Sequence, residues 1–254
     1  MTKTNRIFNF AAGPAVLPLP VLEEAQRDLL ALPDIGMSVM EISHRSKTFE
    51  SLLHKAIEDI RELAEAPPEY TILMLQGGAS LQFSMVPMNF LPSGATADYI
   101  DTGYFSKKAI KEAQRVGMVN IAGQHYTRIP EPDELNLTPD AAYVHMTSNN
   151  TIEGTEWKTL PDVGEVPLVS DASSNIFSRP LDVKRHALIY AGAQKNLGPS
   201  GVTLVIIRAD LLGRGPDTLG SMLNYSTYAQ NNSLYNTPNT FGVYILGLTM
   251  KWLR

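Results

Sequence analysis

The stretch IYAGAQKNLGPSG, Ile189 to Gly201, decides how the rest of the chain is read. An apolar run, LIYA, delivers the backbone to Gly192; Ala193, Gln194 and a single lysine, Lys195, follow before the loop-forming NLGPSG. A short apolar run closed by glycine and proline signals a strand covered on both faces. A lysine at the end of such a strand has two readings. It snorkels to the surface, or it is held where burial strips its proton and leaves a nucleophilic amine. This stretch alone leaves both open.

Outward from it the same pattern recurs. TILMLQ, ADYIDTG, MVNIAG, AAYVHMTSN, VPLVSDAS, HALIYAGAQK and VTLVIIRAD all read as strands, several of them apolar on both faces. Between and around them lie helical patterns. Pro20 to Leu32 places Leu22, Ala25, Leu29 and Leu30 on one side, and Phe49 to Leu63 repeats through Leu52, Leu53, Ala56, Ile60 and Leu63. LQFSMVPMNFL, SKKAIKEAQRVG and the C-terminal GVYILGLTMKWLR also read as helices, while Gly36 to Phe49 is mixed and reads as loop. Helices interleaved with buried strands predict an α/β protein with a mostly parallel central sheet flanked by helices, its strand order left open.

Composition narrows the function classes. With 44% hydrophobic and 19% charged residues over 254 positions, the chain is globular, with room for one large domain or two small ones. A net charge of −5 offers no electrostatic footprint for nucleic acid. The chain has no cysteine, which excludes thiolate catalysis, disulfides and Cys-based metal sites and fits a reducing compartment; no metal site is expected. MTKTNRIFNFAAGP lacks the apolar core of a secretory signal, and no apolar run reaches the ~18 residues of a membrane span. The expectation is a cytoplasmic protein without membrane partners.

Open α/β sheets bind ligands beyond the carboxyl ends of their strands. The residues just after each apolar run are therefore the candidates: Gly77, Gly78, Ala79 and Ser80; Thr102 to Tyr104; Ser148 to Thr151; Asp171; Gln194 and Lys195. GGAS opens a helix, and its free N–H groups suit a phosphate, although the same turn serves as a plain connection and neither common nucleotide signature is present. Asp171 ends VPLVSD and reads either as a cap or turn residue or as the carboxylate that keeps a ring nitrogen protonated. Lys195 follows it by 24 positions. A phosphate cradle, an acid and a lysine, each after a strand, are together what pyridoxal 5′-phosphate (PLP) requires of a protein.

Longer motifs carry a resemblance. NFAAGPAVLP, EISHRS, LQGGASLQF, GYFSKKAIKEA, SNNTIEGTEW, SDASSNIFSRPLDV, YAGAQKNLGPSG and YNTPNTF resemble the phosphoserine aminotransferases, class-V enzymes of the fold-type I PLP group. Gln194 before the lysine separates the chain from the cysteine desulfurases, which place a histidine there. The resemblance implies a fold-type I PLP-transferase large domain over 17–254, with 1–16 belonging to the small domain and the C-terminal small domain lacking from this chain. It implies that Lys195 carries the cofactor aldehyde and Asp171 pairs with the ring nitrogen. Gly78, Ala79, Ser80 and Gln194 would serve the phosphate, Thr151 the phenolic oxygen, and Phe105 the ring face in place of a tryptophan. Asn236 and Thr237 would reach the phosphate of the partner subunit, and His44 and Arg45 the acidic groups of the substrate, so a homodimer with shared sites is implied. Ala12 stands where some relatives have serine. On the residues alone, Phe105 and Thr151 read equally as core or turn, NTPNT as a turn and Arg45 as a solvated charge.

The implied reaction exchanges the amino group between L-glutamate and 3-phosphohydroxypyruvate, giving O-phospho-L-serine and 2-oxoglutarate, in serine and in some bacteria pyridoxine biosynthesis. Relatives continue past this chain's last residue with a domain that supplies a carboxylate-binding arginine. Two other expectations therefore stand beside the first: a PLP-binding dimeric fragment with little turnover, and a class-V aminotransferase with another acceptor such as glyoxylate.

Overall fold

The computed structural model describes residues 6–254. Of the N-terminal segment 1–16, the first five residues lie outside the described residues. Strands β1 (Tyr70–Leu75), β2 (Thr96–Asp101), β3 (Met118–Gln124), β4 (Val144–Thr147), β7 (Leu168–Asp171), β8 (Leu188–Gly192) and β9 (Thr203–Arg208) form one sheet, and β5 (Asn149–Asn150) pairs with β6 (Thr155–Glu156) in a small hairpin. The sheet order is β1-β9-β8-β7-β4-β2-β3. Pairs β2–β3, β2–β4, β4–β7 and β7–β8 are parallel, whereas β9 runs antiparallel to both neighbours. A parallel return from β8 needs a crossover of about a dozen residues or more. The loop 193–202 is shorter, and Ala193 N–H donates to the Val202 carbonyl at 3.0 Å to close it.

Every residue of β4, β7 and β8 is buried, as both-face coverage demands. Side chains alternate between the two layers. Ile189, Ala191, Leu204 and Ile206 pack toward α1 (Leu19–Asp28), α2 (Lys47–Leu63) and α6 (Thr240–Leu253), meeting Phe49, Leu53, Ile60 and Leu246. Leu188, Tyr190, Val205 and Ile207 pack on the other face toward α3 (Gly78–Phe90), α4 (Tyr104–Ala113) and α5 (Tyr225–Gln230), meeting Phe83, Val86, Ile110 and Tyr225. Burying each such aliphatic side chain contributes about 1.5–3 kcal/mol. Among the described residues no helix is long and apolar enough to cross a membrane.

Several helix boundaries differ from the sequence expectation: α3 begins at Gly78, α4 ends at Ala113 rather than Gly117, and the ends of the first two helices have a clear cause. The first helix stops at Asp28 rather than Leu32. Leu32 precedes Pro33, whose ring disfavours helical backbone in the residue before it, and Leu32 N–H instead takes the Met37 carbonyl at 2.9 Å. The second helix begins at Lys47, because the Ser46 hydroxyl accepts the Phe49 N–H at 3.2 Å and caps it.

The chain leaves β2 outward to β3 and returns across it to β4. That reversal opens a crevice between the carboxyl ends of β2 and β4, the position where open sheets receive ligands. The ends of β7 and β8 widen it.

Candidate active site

A cavity of about 340 Å³ lies above these strand ends. Gly78, Ala79, Ser80, Phe105, Asp171, Gln194 and Lys195 line it, together with Phe83, Thr147, Asn149, Ser173 and Ser174. With Gly77 and Asn149, nine residues singled out from sequence, spread over the chain, thus share one cavity. Lys195 follows the end of β8 by three residues and is half-buried; its Nζ donates to Thr151 Oγ1 and stands 4.5 Å from the Phe105 ring centroid. Thr151 therefore joins the group through the amine itself.

Asp171 is the last residue of β7 and only 4% exposed. Of its two readings from sequence, the turn is seen directly. Its Oδ1 accepts the Ser173 N–H at 3.0 Å, which makes the turn, and the Ser173 hydroxyl at 2.6 Å. Its Oδ2 accepts no hydrogen bond among the described residues, and the residue lines the cavity. Burial pushes the Asp171 carboxyl up from its ordinary value, against the pull of Ser173 and the more distant Lys195 charge. Burial likewise lowers the Lys195 amine, opposed by Asp171. Each group is thus shifted toward its uncharged form, the condition in which an amine is nucleophilic.

The phosphate side of the cavity is backbone. Gly77 and Gly78 take φ of 86° and 65°, a left-handed turn that side chains resist, and release the chain into α3. First-turn N–H groups of a helix have no carbonyl within it and are free for an anion. Gly192 lets this wall close. A Cβ there would lie 2.9 Å from Gln194 Oε1 and 3.4 Å from the Ala79 nitrogen. Gly192→Ala is therefore expected to displace Gln194 and weaken PLP uptake about tenfold or more, with the fold intact; a titration of the visible band alongside far-UV circular dichroism checks this.

These observations fit PLP. An aldehyde has one half-buried amine to meet, a pyridinium has a free carboxylate oxygen, and a phosphate has a glycine-opened helix start. Thr147, 3% exposed, adds a buried hydroxyl with no partner on the same wall. Among the described residues no cluster could hold a metal ion.

Besides Thr151, the candidates Thr102 to Tyr104, Ser148 and Asn150 do not line this cavity, and four residues named by resemblance also lie outside it. His44 and Arg45 sit in the turn before α2, with His44 Nε2 buried and unpartnered. Asn236 Oδ1 is also buried and unpartnered, and the Thr237 carbonyl accepts from Gln76 Nε2 at 3.4 Å. Sequence reasoning missed Ser173, Thr147 and the contact of Gly13 and Ala15 with the lysine loop. Ala15 N–H donates to the Gln194 carbonyl at 2.8 Å, and a Cβ at Gly13 would stand 3.0 Å from Lys195 Cγ, so the N-terminal segment lies across the lysine stem. The signal for Ser173 was present in the Asp-x-Ser spacing, which favours a side-chain turn.

Residues 7–254 match the family Aminotransferase class-V. Phosphoserine aminotransferase of Geobacillus kaustophilus is 56% identical over 253 residues, covering 98% of this chain and 70% of the relative. That of Pseudomonas aeruginosa PAO1 is 54% identical over 255 residues, covering 99% and 71%. The solved phosphoserine aminotransferase of Bacillus circulans subsp. alkalophilus superposes with a TM-score of 0.95 at 50% identity, over 97% of this chain and 70% of that one. The PLP-bound enzyme of Trichomonas vaginalis gives 0.92 at 40% identity, with 97% and 70% covered. By fold, site and similarity, the chain belongs to the class-V aminotransferases and, among them, to the phosphoserine aminotransferase family.

Proposed function

We propose that this chain is a PLP-dependent aminotransferase that moves the amino group of L-glutamate to 3-phosphohydroxypyruvate, forming O-phospho-L-serine and 2-oxoglutarate. The observation that carries this reading is one cavity faced by both a half-buried amine, Lys195, and a buried carboxylate with a free oxygen, Asp171. The identity of 50% or more to phosphoserine aminotransferases supports the choice of substrates.

When bound, PLP supplies an aldehyde that condenses with amines and a ring that takes up the electron pair released at the substrate Cα. Lys195 Nζ would hold that aldehyde and, as a neutral amine, would take the proton from the substrate Cα. Thr151 and Phe105 hold Nζ in place before and after. Asp171 keeps the proton on the ring nitrogen. Gly78, Ala79, Ser80 and Gln194 hold the phosphate. His44, Arg45, Asn236 and Thr237 act in the site of a second copy of the chain, a reading supported by their lying outside this chain's own cavity. His44 and Arg45 then orient the phosphorylated acceptor, and the enzyme works as a homodimer in the cytoplasm on small-molecule substrates.

The test is spectroscopic. Glutamate should bleach the visible band of the PLP-loaded protein and release 2-oxoglutarate, and 3-phosphohydroxypyruvate should restore the band at least about tenfold faster than glyoxylate, since charge-assisted contacts are worth that much. Bleaching without recovery, or equal recovery with glyoxylate, would contradict the reading.

A further inference from the structure

A short hydrogen-bond chain runs beside the Asp171 carboxylate and joins two neighbouring strands. Gly192 N–H donates to Ser173 Oγ at 3.0 Å, and Ser173 Oγ in turn donates to Asp171 Oδ1 at 2.6 Å. The direction is fixed, because an amide can only donate; the hydroxyl accepts there and has one proton left, which goes to the carboxylate. Ser173 is 6% exposed and Asp171 4%, so water does not compete for these bonds.

Three consequences follow. With two donors on Oδ1, the carboxylate plane is held, and Oδ2 accepts no hydrogen bond among the described residues. Donation from a hydroxyl favours the ionised carboxyl and opposes the effect of burial. Finally, Gly192 ends β8 three residues before Lys195. The ladder between β7 and β8 stops at the pair Asp171–Tyr190, so the Ser173 hydroxyl is the tie that continues it toward the lysine.

We propose that Ser173 is a positioning residue: its hydroxyl fixes the orientation and charge of Asp171 and registers that carboxylate with the strand end that carries Lys195. This rests on the reading of Asp171 as the partner of the ring nitrogen. The turn itself does not need the hydroxyl. The Ser173 N–H still reaches Asp171 Oδ1, and Asn175 and Ile176 N–H groups donate to the Ala172 carbonyl at 3.2 Å and 2.9 Å.

Ser173→Ala deletes the hydroxyl and keeps the backbone donor, while Ser173→Thr keeps both. In the cofactor-free protein, carbon-13 NMR follows the Asp171 carboxyl, its resonance identified by its loss in Asp171→Asn. Its midpoint should rise by about one pH unit in the Ala variant and stay within ~0.3 of the wild type in the Thr variant. In the PLP-loaded protein, bleaching by glutamate should slow about tenfold in the Ala variant, with half-saturating glutamate changed less than about twofold and recovery to within ~3-fold in the Thr variant. An Ala variant with the wild-type midpoint and rate overturns the proposal, as does a slowing that tracks a fall in melting temperature and is not rescued by threonine. A wild-type chain that takes up no PLP defeats the functional reading, and this inference with it. Normal uptake with an indistinguishable Ala variant defeats this inference alone.

Discussion

Lys195→Ala should abolish the visible band of the PLP-loaded protein and lower the transamination rate by at least about 10³-fold, the scale of a lost positioned base. Among the described residues no other lysine lines the cavity. Its Nζ is placed by the Thr151 hydroxyl and the Phe105 ring, and burial lowers its pKa below the ordinary 10.5. The neutral amine is the reactive form, so the rate at which the cofactor-free chain captures PLP should rise with pH and level off earlier than for an exposed lysine. Asp171 opposes this shift, so the plateau should move further down in Asp171→Asn. Stopped-flow absorbance over a pH series measures both effects. A band that persists in the Ala variant would move the covalent role to another lysine.

Asp171→Asn carries the second large effect, with opposite signs for activity and stability. Burial raises the folded-state pKa of this carboxyl above its ordinary 3.8. The stability that the protonated form contributes is complete below 3.8 and is lost as pH rises through the folded pKa. Above that folded pKa the cofactor-free chain carries a buried charge that the Lys195 amine offsets only weakly, and the amide relieves it. The Asn variant should melt about 1–3 °C higher than the wild type without cofactor, and the difference should vanish in acid. With PLP the order should narrow or reverse, because only the carboxylate gains a cationic partner. The reaction rate should fall about 10²–10³-fold, the range for removing one preorganised electrostatic partner. Paired melting curves with and without PLP check the stability claim; equal cofactor-induced shifts in the two proteins would contradict it.

How far sequence carried the account depends on the physics behind each element. β7 and β8 were legible because parallel strands under helices are apolar on both faces, and LVSD and LIYAG end in residues a core would not choose. The antiparallel course of β9 was not, since TLVIIR has the same pattern in either direction; only the shortness of loop 193–202 hints at it. The hairpin of β5 and β6 has two residues per strand, too few for any period to appear. At the site, Asp171 and Lys195 followed from their positions after strands. Ser173 and Gly192 did not, because their importance depends on β7 and β8 being neighbours. The roles of His44, Arg45, Asn236 and Thr237 came from resemblance alone, and no spacing rule within one chain would have gathered them.

The covalent capture of PLP by a single amine underlies every role assigned above. The most direct measurement is borohydride reduction of the PLP-loaded protein, proteolytic digestion and mass spectrometry of the lysine-containing peptides. The account predicts the cofactor's mass on the peptide that contains Lys195 and on no other. The same mass on a different lysine, or on none, would contradict it.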